Sequence, residues 1–438
     1  MHKSLWQDTI NLPDFKKLNR NIKTDVLIIG GGICGLLCAY LLKQSGVSCV
    51  VLEKDKIAQG TTGNTTAKIT SQHGQIYSYL IDEFSKETAE KYLFINENAI
   101  TKYKEICKNI DCDYKECRNI VYTKDNPQKI ENEIASLELL GANFKTFSSL
   151  PLPFSIKGAI GFENQAQFNP LKFINHISKD LDIYENTMVK EIDNNTAICD
   201  NLKVSAKKII VATHFPFLNK HGNFFLKLYQ HRSYVLALEN AQNVNGMYVD
   251  EKEGGLSFKN YENLLLLGGC GERTGKKCGN WKELTNFKNK YYPDSKIKYK
   301  WATQDCMSLD KIPYIGQYSK NTPNLYVATG FNKWGMTSSM VSAMILCDLV
   351  QDINNDYSDI FSPSRSIMKP QLLINGIETV SNFIIPTKKR CPHLGCALKW
   401  NKQEHSWDCP CHGSRFEEDG KLINNPATDD IIIKKNVK

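Results

Sequence analysis

The first strong pattern in the chain is an apolar, β-branched run over residues 24–29, TDVLII, which predicts a buried parallel strand. It runs into Gly30, Gly32 and Gly35 and then into helically spaced Leu36, Leu37, Ala39, Tyr40 and Leu41. After Gly46 a second apolar run, 47–52, predicts a strand that ends on Glu53. Apolar positions at helical spacing among Lys and Glu predict amphipathic helices over 85–108 and 126–140, the latter opened by Asn-Pro. Residues 232–238 and 263–269 read as strands, and the glycines of 268–275, GGCGERTG, as the second of these turning back on itself. A further strand ends on IIVATH (209–214), and 324–350, NLYVATGFNKWGMTSSMVSAMILCDLV, reads as strand, glycine turn and a long helix beginning near Thr337. Beyond Val350 the helical pattern stops, and Asn354, Asn355, Asp356, Ser362 and Pro363 mark a connector.

The order strand, G-x-G-x-x-G, helix, strand, acid has a chemical meaning. Gly30 makes the tight turn, Gly32 lets the backbone approach a pyrophosphate, and Gly35 lets the helix pack close to the strand. The helix N-terminus offers free N–H groups and a partial positive charge to the phosphates, and Glu53 stands where an acid accepts bonds from a ribose hydroxyl. The chain carries no second fingerprint, so a built-in nicotinamide domain is not expected. A helix starting near Thr337 can instead aim its N–H groups at a flavin ring, which favours FAD.

Composition narrows the class. At 438 residues the chain exceeds one ordinary domain; 41% hydrophobic and 23% charged residues describe folded cores rather than disorder. The net charge of +8 is spread in short lysine pairs among acids, which reads as solvated surface and argues against nucleic acid or an anionic membrane as partner. Residues 26–42 are apolar but glycine-broken and follow Asp25, which fits neither a signal peptide nor a transmembrane helix, and no twin-arginine pair stands near the N-terminus. The expected location is cytoplasmic, where fifteen cysteines serve as core residues, ligands or redox groups. Cys34 and Cys38, one turn apart, read as helix packing, and Cys107, Cys112 and Cys117 as unconnected thiols.

The tail carries CPHLGC (391–396) and CPCHGS (409–414). Cys391, His393, Cys409 and His412 supply two thiolates and two imidazoles, a set that also suits zinc. Against zinc, each loop carries one Cys and one His, each has a surplus cysteine, Cys396 or Cys411, and Gly395, Pro410, Gly413 and Ser414 suit tight loops that aim N–H groups at bridging sulfides.

On these residues the tail resembles a Rieske domain, C-x-H-x-G-C then C-x2-H-G-S. The resemblance implies a [2Fe–2S] cluster with Cys391 and Cys409 on one iron and His393 and His412 on the other, and a disulfide between Cys396 and Cys411. Ser414 is retained, but Phe416 stands where many high-potential Rieske domains have Tyr, so the expected potential lies below the top of the Rieske range, about +300 mV. Only a short segment separates the end of the flavin domain from Cys391, so a reduced Rieske unit leaning on the flavoprotein body is expected.

The remainder is similar to FAD-dependent oxidoreductases of the D-amino-acid-oxidase type, which include glycine and sarcosine oxidases. The matching stretches are the fingerprint, GTTGNTTAKITSQHG (60–74), QFNPLKFINHI (167–177), IIVATH, DKIPYIG (310–316) and VATGFNKWGMT (327–337). The resemblance implies an α/β, Rossmann-like FAD-binding domain (1–80, 150–225, 300–350) with an interleaved α+β substrate domain (81–149, 226–299). A connector (351–387) and a small β-rich Rieske domain (388–438) would follow. It implies FAD contacts at Gly30, Gly32, Ile33, Cys34, Gly35, Glu53 and Lys54, at Thr61, Thr62, Thr66 and Ala67 of the Thr-rich loop, and at Val189, Ala212 and Thr213. Gly330, Gly335, Met336 and Thr337 would flank the flavin ring.

Catalytic residues are less defined: Arg232 is a candidate carboxylate clamp, and His231 and His73 are candidate bases. The expected function is oxidation of a small amine or amino-acid-like substrate, with electrons passing from FAD to the cluster, and the expected partner is an external electron acceptor or donor protein. The alternatives are an electron-transfer module without small-substrate turnover, and a redox sensor.

Overall fold

The computed structural model describes residues 3–276 and 281–431. Two large sheets and one small one organise them. The first sheet runs Tyr314–Gln317, Leu325–Thr329, Leu202–Val211, Ile22–Ile29, Cys49–Leu52, Ile183–Tyr184. Its central pairs are parallel, with Ile29 beside both Leu52 and Val211, so three strands end together at the glycine turn. Leu27 and Ile28 are fully buried, as expected for a strand covered on both faces. The helices Ile33–Gln44 and Gly335–Val350 pack together on one face, joined where the Cys347 thiol meets the Cys38 carbonyl. Cys34 and Cys38 are buried there as packing residues.

The second sheet has nine strands and is mixed: Met247–Asp250 and Lys115–Thr123 pair in parallel and their other neighbours are antiparallel. Lys68–Ile69, Gly158–Gln167 and Lys296–Ser308 belong to this sheet, so the chain crosses between the two sheets repeatedly. The amphipathic helices form as Lys86–Cys107, capped by the Ser85 hydroxyl, and Pro127–Leu139.

Two expectations are corrected. The glycines of 268–275 do not reverse the chain: Leu264–Arg273 continues as one strand along Leu228–Glu239. Gly269 (φ 143°) and Cys270 (φ 52°) take up positive φ at a bulge, and the register shifts between Arg232 and Tyr234. Residues 351–387 are also more than a connector, because they contain the helix Pro370–Phe383, opened by proline at its first turn. Behind it lies the third sheet, an antiparallel meander of Lys399–Asn401, Ser406–Asp408, Arg415–Glu417 and Leu422–Asn424. Cys107, Cys112 and Cys117 are free thiols without a disulfide, although Cys107 and Cys112 share a thiol hydrogen bond.

Candidate flavin pocket and cluster site

A cavity of about 1240 Å³ opens at the ends of the first sheet's strands, under the second sheet. It is larger than the roughly 300–1,000 Å³ of ordinary small-molecule pockets. Gly30, Gly32, Ile33, Cys34, Glu53, Lys54, Thr61, Thr62, Thr66, Val189, Ala212, Thr213, Gly335 and Met336 line it. Gly35, Ala67, Gly330 and Thr337, also expected to contact the cofactor, are not among the lining residues: Gly35 packs against the Gly30 carbonyl, and the Thr337 hydroxyl is taken up by His73 and Thr70 O.

The residues fit a dinucleotide. Gly30 has φ 116°, and a Cβ there would lie 2.5 Å from the Ala212 carbonyl oxygen; a Cβ on Gly35 would fall on the Gly30 carbonyl. A Cβ on Gly32 would meet only Thr62 Oγ1, at 3.4 Å, so this side of the turn is left open to the cavity. The Thr62 hydroxyl accepts the Ile33 N–H at 3.0 Å and holds the Thr-rich loop against the helix start. The Glu53 carboxylate accepts N–H bonds from Gly31 (2.7 Å) and Asp55 (3.0 Å), and burial raises its pKa. At the far wall the Gly335–Val350 helix points its N-terminus at the cavity, a favourable end for negative charge.

The catalytic candidates fare differently. His73 also lines the cavity, but both ring nitrogens are occupied: Nδ1 by the Tyr92 hydroxyl (2.7 Å), Nε2 by Thr70 O (2.7 Å) and Thr337 Oγ1 (2.8 Å). Burial lowers its pKa to about 3, so it is a neutral clamp between loop and helix. His231 is likewise buried and neutral, pushed to about 3 by burial and by Lys333 and Arg273. Arg232 is not a free carboxylate clamp, because its guanidinium makes a two-pronged ion pair with Glu404 of the tail. Two residues overlooked in the sequence share the cavity wall instead. Burial raises Asp305 to about 6 against the opposing pull of Lys333 and Arg232, and the Lys333 ammonium acts on both Asp305 and His231.

The two tail loops are built alike. Gly395 N donates to Cys391 O and Gly413 N to Cys409 O, each at 2.9 Å, and both glycines sit at positive φ, 79° and 84°. The Cys391 and Cys409 thiols share a hydrogen bond that lowers the first and raises the second. The two imidazoles lie 4.9 Å apart, and each is tied through Nε2, His393 to Asn219 Oδ1 and His412 to Phe225 O, both at 2.9 Å. His393 Nδ1 is buried with no partner, an orphaned acceptor facing inward. Burial holds both rings neutral, at about 4 for His393 and about 3 for His412. Cys396 and Cys411 form a disulfide. Their sulfurs lie within 4.8 Å of Cys409, but being bonded to each other they leave Cys391, Cys409, His393 and His412 as the donor set. Two thiols and two Nδ1 atoms fit a [2Fe–2S] centre of mixed ligation. The Ser414 hydroxyl bonds the Cys391 sulfur and accepts the Ala427 N–H at 3.0 Å.

These loops dock on the flavin body. Gln304 Nε2 donates to Gly413 O at 2.8 Å, while the Gln304 backbone carbonyl accepts the Thr61 hydroxyl at 2.9 Å from the cavity wall. Gln230 Nε2 donates to His412 O at 2.7 Å, and Asn425 Nδ2 to the carbonyls of Thr213 and Phe215, both at 2.6 Å. The half-buried Arg273 guanidinium bonds Pro410 O (3.0 Å) and Cys411 O (2.9 Å). The fully buried Phe215 ring packs edge-on against His393 (6.3 Å) and His412 (6.1 Å), two residues after Thr213 of the cavity wall. None of these docking residues carries a sequence signal, because their partners lie about 100–210 residues away.

Fold and sites together define a flavin-dependent redox protein that carries a Rieske-type cluster on its tail. Residues 25–349 match the family model described as FAD dependent oxidoreductase, and the chain belongs to that family. Residues 367–435 match the Rieske [2Fe-2S] domain, so this match begins ahead of Cys391 and takes in the helix Pro370–Phe383. The chain is 34% identical to YhfW of Bacillus subtilis (strain 168), named as a Rieske 2Fe-2S iron-sulfur protein, over 96% of this chain and 95% of that one. Its tail is 39% identical over 56 residues to cytochrome b6-f complex iron-sulfur subunit 2 of Synechocystis sp. (strain ATCC 27184 / PCC 6803 / Kazusa), covering 13% of this chain and 30% of that one. Among solved structures, glycine oxidase from Geobacillus kaustophilus has the same fold (TM-score 0.66, 16% identity), covering 79% of this chain and all of that one. L-amino acid deaminase from Proteus vulgaris with its specific insertion sequence deleted does too (TM-score 0.65, 16% identity), covering 81% of this chain and 97% of that one. The family implies FAD and the Rieske domain a [2Fe–2S] cluster. No helix among the described residues is long and apolar enough to cross a membrane.

Proposed function

We propose that this protein oxidises a small amine or amino acid at the flavin and passes the electrons through the tail cluster to an external carrier. FAD, when bound, takes two electrons and a proton from a C–H bond beside nitrogen, and a Rieske centre carries electrons singly. The observation that supports the coupling most directly is Phe215. Its backbone carbonyl and that of Thr213 are bonded to the tail, its ring touches both imidazole ligands, and Thr213 lines the flavin cavity.

The chain's own residues support the substrate class. Lys333 and Asp305 put a cation and a carboxylate on one wall of the cavity, a pair that suits the carboxylate and amino groups of one small molecule. Asp305, raised to about 6, is ionised near neutral pH and able to hold an ammonium or accept its proton. The second sheet lines this end of the cavity through Ser233, Gly271 and Thr303.

The test is anaerobic mixing of the holoprotein with a panel of amines and amino acids. Flavin absorbance and the cluster's reduced EPR signal would be followed together. The expected result is bleaching by one class of substrate, followed by cluster reduction within turnover time. A flavin that bleaches while the cluster stays oxidised would overturn the coupling. A protein that no substrate bleaches, but that exchanges electrons readily with a ferredoxin or quinone, would instead be the electron-transfer module.

A further inference from the structure

The helix Pro370–Phe383 is amphipathic in the reverse sense. Its polar face is turned inward: Asn375 Oδ1 accepts from Arg273 Nη1 at 2.8 Å, Glu378 pairs with Lys276, and Asn382 Nδ2 bonds Glu378 Oε1 at 2.7 Å. Its apolar face is turned out. Leu373 (70% exposed), Ile377 (62%), Val380 (63%) and Ile384 (72%) form a stripe at helical spacing, extended by Met368, Ile374 and Phe383. Of the fourteen exposed large apolar side chains among the described residues, nine lie within 368–394, so this is one concentrated patch.

Charge says what would cover it. Glu378, the one acid within residues 367–390, is buried in its pair with Lys276. The stripe runs out into Lys388, Lys389 and Arg390, and Lys388 is exposed. The outward surface is therefore apolar with a basic end and no acid, the pattern of a helix lying in the headgroup region of an anionic bilayer. Size points the same way. A helix of 14 residues spans about 21 Å and is roughly 10 Å wide, a small patch beside the about 800 Å² per partner of a stable protein interface. With no helix among the described residues long and apolar enough to span, the contact would be interfacial.

The helix is also fastened to the first cluster loop. Ala397 N donates to Asn382 O at 3.0 Å, and Arg390 Nη1 bonds both Phe383 O (3.0 Å) and Gly395 O (2.7 Å). We infer that this helix docks the protein on an anionic membrane surface and holds the cluster loop beside it. The inference goes beyond the reading of the net charge as solvated surface, and it does not depend on the substrate.

The experiment is flotation of the full-length holoprotein with vesicles of phosphatidylcholine mixed with phosphatidylglycerol, or of phosphatidylcholine alone. We expect binding to the mixed vesicles, weakened by Lys388→Glu and by salt. It should fall about tenfold in the triple variant Leu373→Ser, Ile377→Ser, Val380→Ser, with flavin and cluster absorbance unchanged. Independently, Ile377→Trp should gain a blue-shifted emission on mixed vesicles. Absence of both flotation and emission shift would overturn the inference. So would equal binding to neutral vesicles that Lys388→Glu leaves intact, or a concentration-dependent dimer, abolished by the triple variant, that binds no vesicles.

Discussion

The flavin cradle and the cluster loops are held by different kinds of contact. The cradle is assembled from neighbours: three glycines within six residues, a helix start and a Thr hydroxyl shape it, and the main constraint is steric. Each cluster loop is also short and local, but its position in the molecule depends on polar bonds to residues far away in sequence. One site is intolerant of added atoms, the other of lost partners. The two can be broken separately.

Gly35→Val should break the cradle most completely, because the side chain would fall on the Gly30 carbonyl. Flavin content of the purified protein should drop to near zero, while the cluster loops, held by Asn219, Phe225, Gln230 and Arg273 rather than by the glycine turn, should keep their cluster spectrum. Glu404→Gln attacks the other side. It leaves Arg232 and Arg415 buried without their shared carboxylate, at a cost of about 3–5 kcal/mol in denaturant unfolding. The wild-type pair has a pH signature. Burial opposes the Glu404 charge, but Arg232 and Arg415 outweigh it and hold the carboxyl at about 2. A depressed carboxyl contributes its stability fully above the ordinary Glu pKa of about 4.3 and loses it as pH falls from there toward about 2. Unfolding between pH 5 and 2 should show this loss in the wild type and not in Glu404→Gln.

Gln304→Leu is milder. It leaves Gly413 O and Gln230 Oε1 without their donor, worth about 1–3 kcal/mol, and should slow cluster reduction more than flavin reduction in stopped flow. In the cradle, Asp305 should make kcat/KM for an amine substrate rise with pH through about 6, and Asp305→Asn should flatten that limb. The smallest effect should come from the cluster environment. Ser414→Ala removes a hydroxyl bond to the Cys391 sulfur, about 1 kcal/mol or on the order of 40–60 mV of lowered potential by redox titration. Phe416→Tyr should move it upward.

Wherever a function depended on a short local pattern, the sequence was legible. Gly30, Gly32, Glu53, Thr61, Thr62 and Thr66 line one cavity, and the two Cys-His loops lie together with Cys396 bonded to Cys411. Where a role depended on what lies opposite, it was not. Arg232 reads as a clamp until Glu404 is found in front of it, 172 residues away. Residues 268–275 read as a strand turning back on itself until the neighbouring strand shows a bulge at Gly269 and Cys270.

The amino-acid sequence by itself determined which groups the protein binds and the strand-turn-helix units that bind them, because backbone sterics and ligand chemistry act over a few residues. Only the tertiary structure decided that the cluster leans on the flavin body through Phe215, Gln230 and Gln304. It also decided that His73 is a clamp and that the tail helix turns its polar face inward. Those outcomes follow from the burial of partners distant in sequence, and burial is a property of the packed chain.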